Sequence, residues 1–347
     1  MLSGLRLAPA SALACALACT APDGSDAGDA STTAAESTSE PAQTAPATDP
    51  ATTGDAGPGT GEDSGDMTTD DATTDDATTA DPTTGGGEPV QPTLLPTPTG
   101  VCPELVDGDV EFAPAGIAPR KVRLWLSDAA AEQDGPLVFY WHGTGSQPQE
   151  ATYGLGASYV DQVVAQGGII AAPHHDPEAG QFPWFLVLGS REDDLILADE
   201  VLACAIEQLG VDTTHVHTAG MSAGGLQTAQ MSFRRSGYVA SAAPYSGGFI
   251  STPPDQDPGN PTSAMIFHGG PDDVVVISFQ MASENYLSAI EDKGGFGFLC
   301  DHGMGHSIPQ GAAQESVWRF FHDHPFGATP SPYASGLPGG FPDYCAL

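Results

Sequence analysis

Basic residues are almost missing from this chain. Nine Lys and Arg face 45 Asp and Glu in 347 residues, a formal net charge of -36. A surface so acidic repels phosphate backbones and anionic headgroups, which argues against nucleic acid as a partner. Aromatic and large apolar residues are scarce as well, and unevenly so. Residues 1–100 hold no Phe, Trp or Tyr and a single base, Arg6. Past the first twenty residues such a segment cannot bury enough apolar surface to offset its conformational entropy, so it is expected to be disordered. Metal-ligand clusters are also lacking. The pairs His174-His175, His215-x-His217 and His322-x-His324 have no Cys or carboxylate set to complete a tetrahedral site, so neither a metal nor another cofactor is expected.

What remains divides the chain in three. Residues 1–19 open with one Arg and continue as an Ala-rich apolar run, the pattern of an export signal and too short for a stable span. Ala16-Leu17-Ala18-Cys19 resembles a bacterial lipobox, which makes Cys19 a lipidation candidate and offers a membrane tether. Ala12 to Cys15 repeats the tetrad, and in both copies Leu stands two residues before the Cys instead of three. Residues 20–100 are Thr, Ala, Asp, Gly, Pro and Ser, with TTDDA repeating after Met67, and read as a self-repelling acidic linker. Residues 101–347 carry all four Trp and the apolar runs, enough for one domain, with 29 acids against eight bases.

Within that domain, Val110 to Phe112 and Lys121 to Leu126 read as an antiparallel pair. Pro136 to Trp141, Gly168 to Ala172, Tyr238 to Ala243, Ala264 to Phe267 and Phe296 to Leu299 read as buried strands, and Asp193 to Leu209 as an amphipathic helix. Their alternation with helical segments implies an α/β fold with a mostly parallel, doubly wound sheet. Sites in such sheets form beyond the carboxyl ends of the strands.

At one such end stands Gly220-Met221-Ser222-Ala223-Gly224, a G-x-S-x-G turn between a β-rich and a helix-compatible run. The turn is tight, so the positions two before and two after the serine must lack bulk. Ser222 is the candidate nucleophile, and the helix behind it favours a developing oxyanion. A serine needs a base to take its proton and an acid to orient that base, expected in the order Ser, acid, His. The strand AMIF leads into His268-Gly269-Gly270-Pro271-Asp272-Asp273, where Asp272 is favoured over Asp273. FGFLC leads into Asp301-His302-Gly303-Met304-Gly305-His306, where His306 is favoured over His302 as base. For the oxyanion, backbone amides near Thr144 and of Ala223 are the candidates. His142, Gly143, Met221 and Trp184 are candidate substrate-binding residues, Trp184 within an aromatic stretch that could wall an acyl group.

HGTG, GMSAGG, APYSGG, HGGPDDVV and GMGHSIP, in this order, resemble the α/β-hydrolase esterases grouped as polyhydroxybutyrate depolymerase-like, feruloyl esterase and acetylxylan esterase enzymes. The likeness covers roughly residues 120 to 325. It implies an α/β-hydrolase fold, a Ser222, Asp272 and His306 triad, and carboxylic ester hydrolysis through an acyl-enzyme. Ala223 stands where family members often carry Asn or Ser. No appended polymer-binding domain is legible, which points to a small or oligomeric ester as substrate; a monomer is expected, and the leader implies export to the cell surface, the periplasm or beyond. A peptidase or acyltransferase on the same fold, or a surface-displayed binding module without activity, are the alternatives. The four Cys past the signal form an even set, expected as disulfides in an exported chain. Cys102 and Cys345, at the two ends of the domain, are the first expected pair and Cys204 with Cys300 the second, unless Cys204 is a free buried thiol.

Overall fold

The structure is a computed structural model and describes residues 90–347, so Cys15, Cys19, the export signal and most of the acidic linker lie outside the described residues. In chain order the elements are β1 (Gly108–Phe112), β2 (Arg120–Trp125), β3 (Gly135–Trp141), α1 (Glu150–Leu155), α2 (Ala157–Ala165) and β4 (Ile169–Pro173). Then follow α3 (Asp193–Gln208), β5 (Val211–Met221), α4 (Ala223–Arg234), β6 (Ser241–Tyr245) and β7 (Ser263–His268). The last are β8 (Val274–Val275), β9 (Ile277–Ser278), α5 (Phe279–Asp292), β10 (Phe296–Asp301), α6 (Ala312–Asp323) and β11 (Cys345–Ala346).

Nine strands form one sheet in the order β1-β2-β4-β3-β5-β6-β7-β10-β11, with β8 and β9 a separate hairpin. From β4 to β10 all neighbours are parallel, and the antiparallel pairs are confined to the two edges. The apolar runs explain this. A strand covered on both faces has no polar side, and its alternate residues enter different cores. Leu137, Phe139 and Trp141 of β3 join a cluster with α3 and α4, while Val138 and Tyr140 join one with α1, α2 and α6. β6 begins three residues later than the run Tyr238 to Ala243 suggests. Tyr238 and Val239 instead close the end of α4, each donating its amide to the Arg235 carbonyl.

The disulfides differ from the expected pairing: Cys102 bonds Cys204, and Cys300 bonds Cys345. Cys345 lies in β11, which pairs with β10 so that Cys300 and Cys345 stand opposite each other. Cys102 and Cys345 are thus not bonded to each other; each is fastened to a neighbouring element, α3 and β10. Just before Cys102, Thr99 donates its amide and hydroxyl to Glu200 of α3 at 2.8 and 2.7 Å, and the Gly100 amide donates to the same carboxylate at 2.8 Å. Two disulfides are compatible with an oxidising compartment. Among the described residues no helix is long and apolar enough to cross a membrane.

Candidate active site

β5 ends at Met221 and α4 begins at Ala223, so Ser222 alone makes the turn, with φ 59° and ψ -119°. A non-glycine residue in that region is strained and must be held by its surroundings. The Ser222 amide donates to the Tyr245 carbonyl at 2.9 Å. A Cβ on Gly220 would lie 2.4 Å from the Trp141 carbonyl oxygen, and one on Gly224 only 1.8 Å from it. Both glycines are therefore demanded by the approach of β3.

His306 reaches this serine from the loop after β10, its Nε2 2.9 Å from Ser222 Oγ. Its Nδ1 lies 2.7 Å from Oδ1 of Asp273. A carboxylate only accepts, so Nδ1 carries the proton and Nε2 offers its lone pair to the serine. The other Asp273 oxygen accepts from Ser246 Oγ at 2.7 Å and from the Gly269 amide at 2.9 Å. Burial pushes the Asp273 carboxyl up, but these donors, His306 foremost, outweigh it and hold the group below the ordinary carboxylate range.

The acid on the histidine is thus Asp273, and the preference for Asp272 is corrected. Gly270 to Asp272 form a short 3-10 turn that leaves Asp272 exposed and brings the next residue, fully buried, to face His306. His302 stays out of the chain of hydrogen bonds from the serine. Its Nδ1 accepts from the Met304 amide at 3.2 Å, and burial lowers its pKa. The acid and base loops interlock, since a Cβ on Gly269 would lie 1.9 Å from the Gly305 oxygen and the Gly305 amide donates to Gly269. Phe279 lies against the imidazole, ring centroids 4.6 Å apart.

After β3 the loop from His142 is pinned at several points. Trp184 Nε1 donates to the His142 carbonyl at 2.9 Å, and the Gly143 carbonyl accepts from the Ser146 amide at 3.1 Å and from His142 Nδ1 at 2.9 Å. The Gly143 amide donates to Glu150 at 3.0 Å. Thr144 is exposed at the crest of the loop, and the Ala223 amide, in the first turn of α4, has no acceptor within its helix. His142 and Trp184 are each 1% exposed and Met221 8%, and Trp184 lines a cavity of 210 Å³ with Phe182 and Phe185. Burial lowers the His142 pKa to about 4, keeping the ring neutral. Asp273's partner Ser246, the aromatic Phe279 and Glu150 were not singled out from the sequence. Ser246 lies in the quoted APYSGG run, but its bond to Asp273 depends on two loops meeting.

A cavity of 440 Å³ lies at the opposite end of the strands, lined among others by Asp212, His215, Trp318 and His322, and Ser222 takes no part in it. There His215 is committed on both nitrogens, to Asp212 at 2.6 Å and the His322 carbonyl at 3.3 Å. Among the described residues no group of three or more His, Cys, Asp or Glu is placed to hold a metal.

Ordered in this way, sheet, elbow and loops define an α/β-hydrolase fold. Known structures agree on the fold. A complex of a serine-to-cysteine variant of pOPH with DMSO aligns with a TM-score of 0.58 at 16% identity, covering 71% of this chain and 95% of that one. Native sOPH aligns with a TM-score of 0.55 at 18% identity, covering 72% and 95%. No protein-family model matches the sequence, and no curated protein matches it.

Proposed function

We propose that this chain is a serine carboxylic ester hydrolase. The observation that carries the reading is the continuous hydrogen-bonded run from Ser222 through His306 to buried Asp273, with the serine on a strained turn at a helix start. In the reaction His306 Nε2 takes the Ser222 proton as Oγ attacks the acyl carbon. The oxyanion forms against the amides of Ala223 and Thr144, and Asp273 stabilises the imidazolium. His306 then gives the proton to the departing alkoxide, leaving an acyl-serine. Water, deprotonated by the same imidazole, releases the acid and restores Ser222.

The resemblance of its motifs to the polyhydroxybutyrate depolymerase-like and feruloyl esterase group supports carboxylic ester hydrolysis, and the reading takes a small or oligomeric ester as the substrate. The same reading includes export, tethering through Cys19, and action as a monomer; the two disulfides support an oxidising location.

The test uses the purified protein, wild type and Ser222→Ala, with a fluorophosphonate probe and with p-nitrophenyl acetate, p-nitrophenyl butyrate and methyl ferulate. Labelling and turnover by the wild type alone are expected, and the substrate ranking then chooses the acyl class. A wild type that is neither labelled nor active overturns the reading.

A further inference from the structure

Glu150 opens α1, nine residues beyond the end of the strand that feeds the oxyanion loop, and the hydrolytic reaction as written makes no use of it. Its Oε1 accepts from the Gly143 amide at 3.0 Å and from the Tyr140 hydroxyl at 3.2 Å. Tyr140 is fully buried, and its ring lies so close over Gly154 of α1 that a Cβ there would sit 2.3 Å from the hydroxyl oxygen. The phenol is therefore fixed, and it fixes the carboxyl in turn. The other carboxyl oxygen and the Ser222 Cβ each lie 3.6 Å from the point that a Cβ on Gly143 would occupy. A half-buried acid thus stands across a glycine from the serine, with the Gly143 amide and the Tyr140 hydroxyl aimed at one of its oxygens.

Holding a carboxyl in such a place is unfavourable unless its oxygens are used as acceptors. The pinned loop shows what that use is. The carbonyls of His142 and Gly143 are occupied by Trp184, Ser146 and the His142 ring, and the Gly143 amide by Glu150. With these groups committed, the next amide along the loop, that of Thr144, is left for the substrate.

Resting on the esterase reading, we propose that Glu150 is a positioning residue of the oxyanion loop: by accepting the Gly143 amide it sets the Thr144 amide for the acyl oxygen. It acts through the loop and touches no reacting atom. Preorganised donors matter in the transition state more than in the ground state, so its loss falls on kcat and spares KM.

The experiment compares wild type, Glu150→Ala, Glu150→Gln and Glu150→Asp with p-nitrophenyl butyrate and with a trifluoromethyl ketone, whose tetrahedral adduct places an oxyanion in the same place. Removing an oxyanion donor outright costs roughly 100- to 1,000-fold; misplacing one in Glu150→Ala is expected to lower kcat about 30-fold, with KM within about threefold. Affinity for the ketone should fall by the same factor. Glu150→Gln keeps an acceptor oxygen at the same reach and should stay within about threefold of wild type. Glu150→Asp keeps the charge but withdraws it by one methylene, and should resemble Ala; it carries the test where the Ala variant fails to fold. An Ala or Asp variant with wild-type kcat and ketone affinity overturns the proposal, as does a Gln variant as impaired as Ala. A wild type without labelling or turnover overturns the esterase reading instead, whatever stands at position 150.

Discussion

The turn that holds Ser222 and the turn that holds Asp273 lie two strands apart on one sheet edge, and they are built differently. Around Ser222 the constraint is local. Gly220 and Gly224 flank the residue at the distances where the β3 backbone passes, and β5 and α4 abut it on either side. Around Asp273 the constraint is remote. Its two oxygens are held by Ser246, Gly269 and His306, which come from three loops, and its aspartate neighbour is excluded only by a 3-10 turn of three residues. A nucleophile turn is thus specified by its own five residues, whereas an acid turn is specified by what arrives to meet it.

Ser222→Ala tests the local side and carries the largest expected effect. Ester turnover should fall by roughly 10,000-fold or more, read as initial rates with p-nitrophenyl butyrate. The remote side is sharpened by a pair of variants. Asp273→Ala should cost about 1,000-fold or more in kcat, and Asp272→Ala, removing an exposed side chain, about twofold at most. Reversed values would move the acid back to Asp272. Gly224→Ala is a third break, aimed at the fold. With the Trp141 oxygen 1.8 Å from the new Cβ, the backbone has to shift, and a loss of roughly 3 kcal/mol is expected in urea unfolding. A variant of wild-type stability would show that the crossing of β3 and α4 is looser than drawn.

The smallest effect separates the two turns by pH. His142, beside the nucleophile, has its pKa lowered by burial to about 4. The unfolded chain then takes up that proton first, so the stabilisation is complete above about pH 6.5 and is lost as pH falls from there toward 4. At pH 5 the loss is about 2 kcal/mol. Asp273 is also depressed, through its donors, so its contribution is complete above the ordinary carboxylate value of about 3.9 and disappears only at lower pH. His142→Gln should remove its share of the difference between urea midpoints at pH 7 and pH 5. An unchanged difference would reassign that proton uptake to another buried imidazole such as His324.

The same contrast explains what could be read from the sequence. Strands buried on both faces announce themselves as unbroken apolar runs, so β3, β4 and β7 were legible, as was the elbow. His306 followed from its glycines, because Gly303 and Gly305 both adopt positive φ. The choice between Asp272 and Asp273 was not legible, since one residue of turn decides which carboxylate faces inward. Nor was the Cys300–Cys345 disulfide, which hangs on β11, a two-residue strand with no pattern of its own. Trp184 and His142 were singled out as substrate-binding residues, but composition does not say whether an aromatic ring lines a pocket or supports its wall. Glu150 carried no signal at all. Its meaning lies in a glycine amide seven residues away.

The fastening at Thr99, Gly100 and Cys102 has a mechanical consequence. From Thr99 to Cys102 the chain is held by Glu200 and then by the Cys102–Cys204 bond, both on α3, before it enters any strand. That helix is the anchorage. Load on residues 99–102 is delivered to it through three hydrogen bonds and one covalent link, and neither Ser222 nor His306 takes part in any of them.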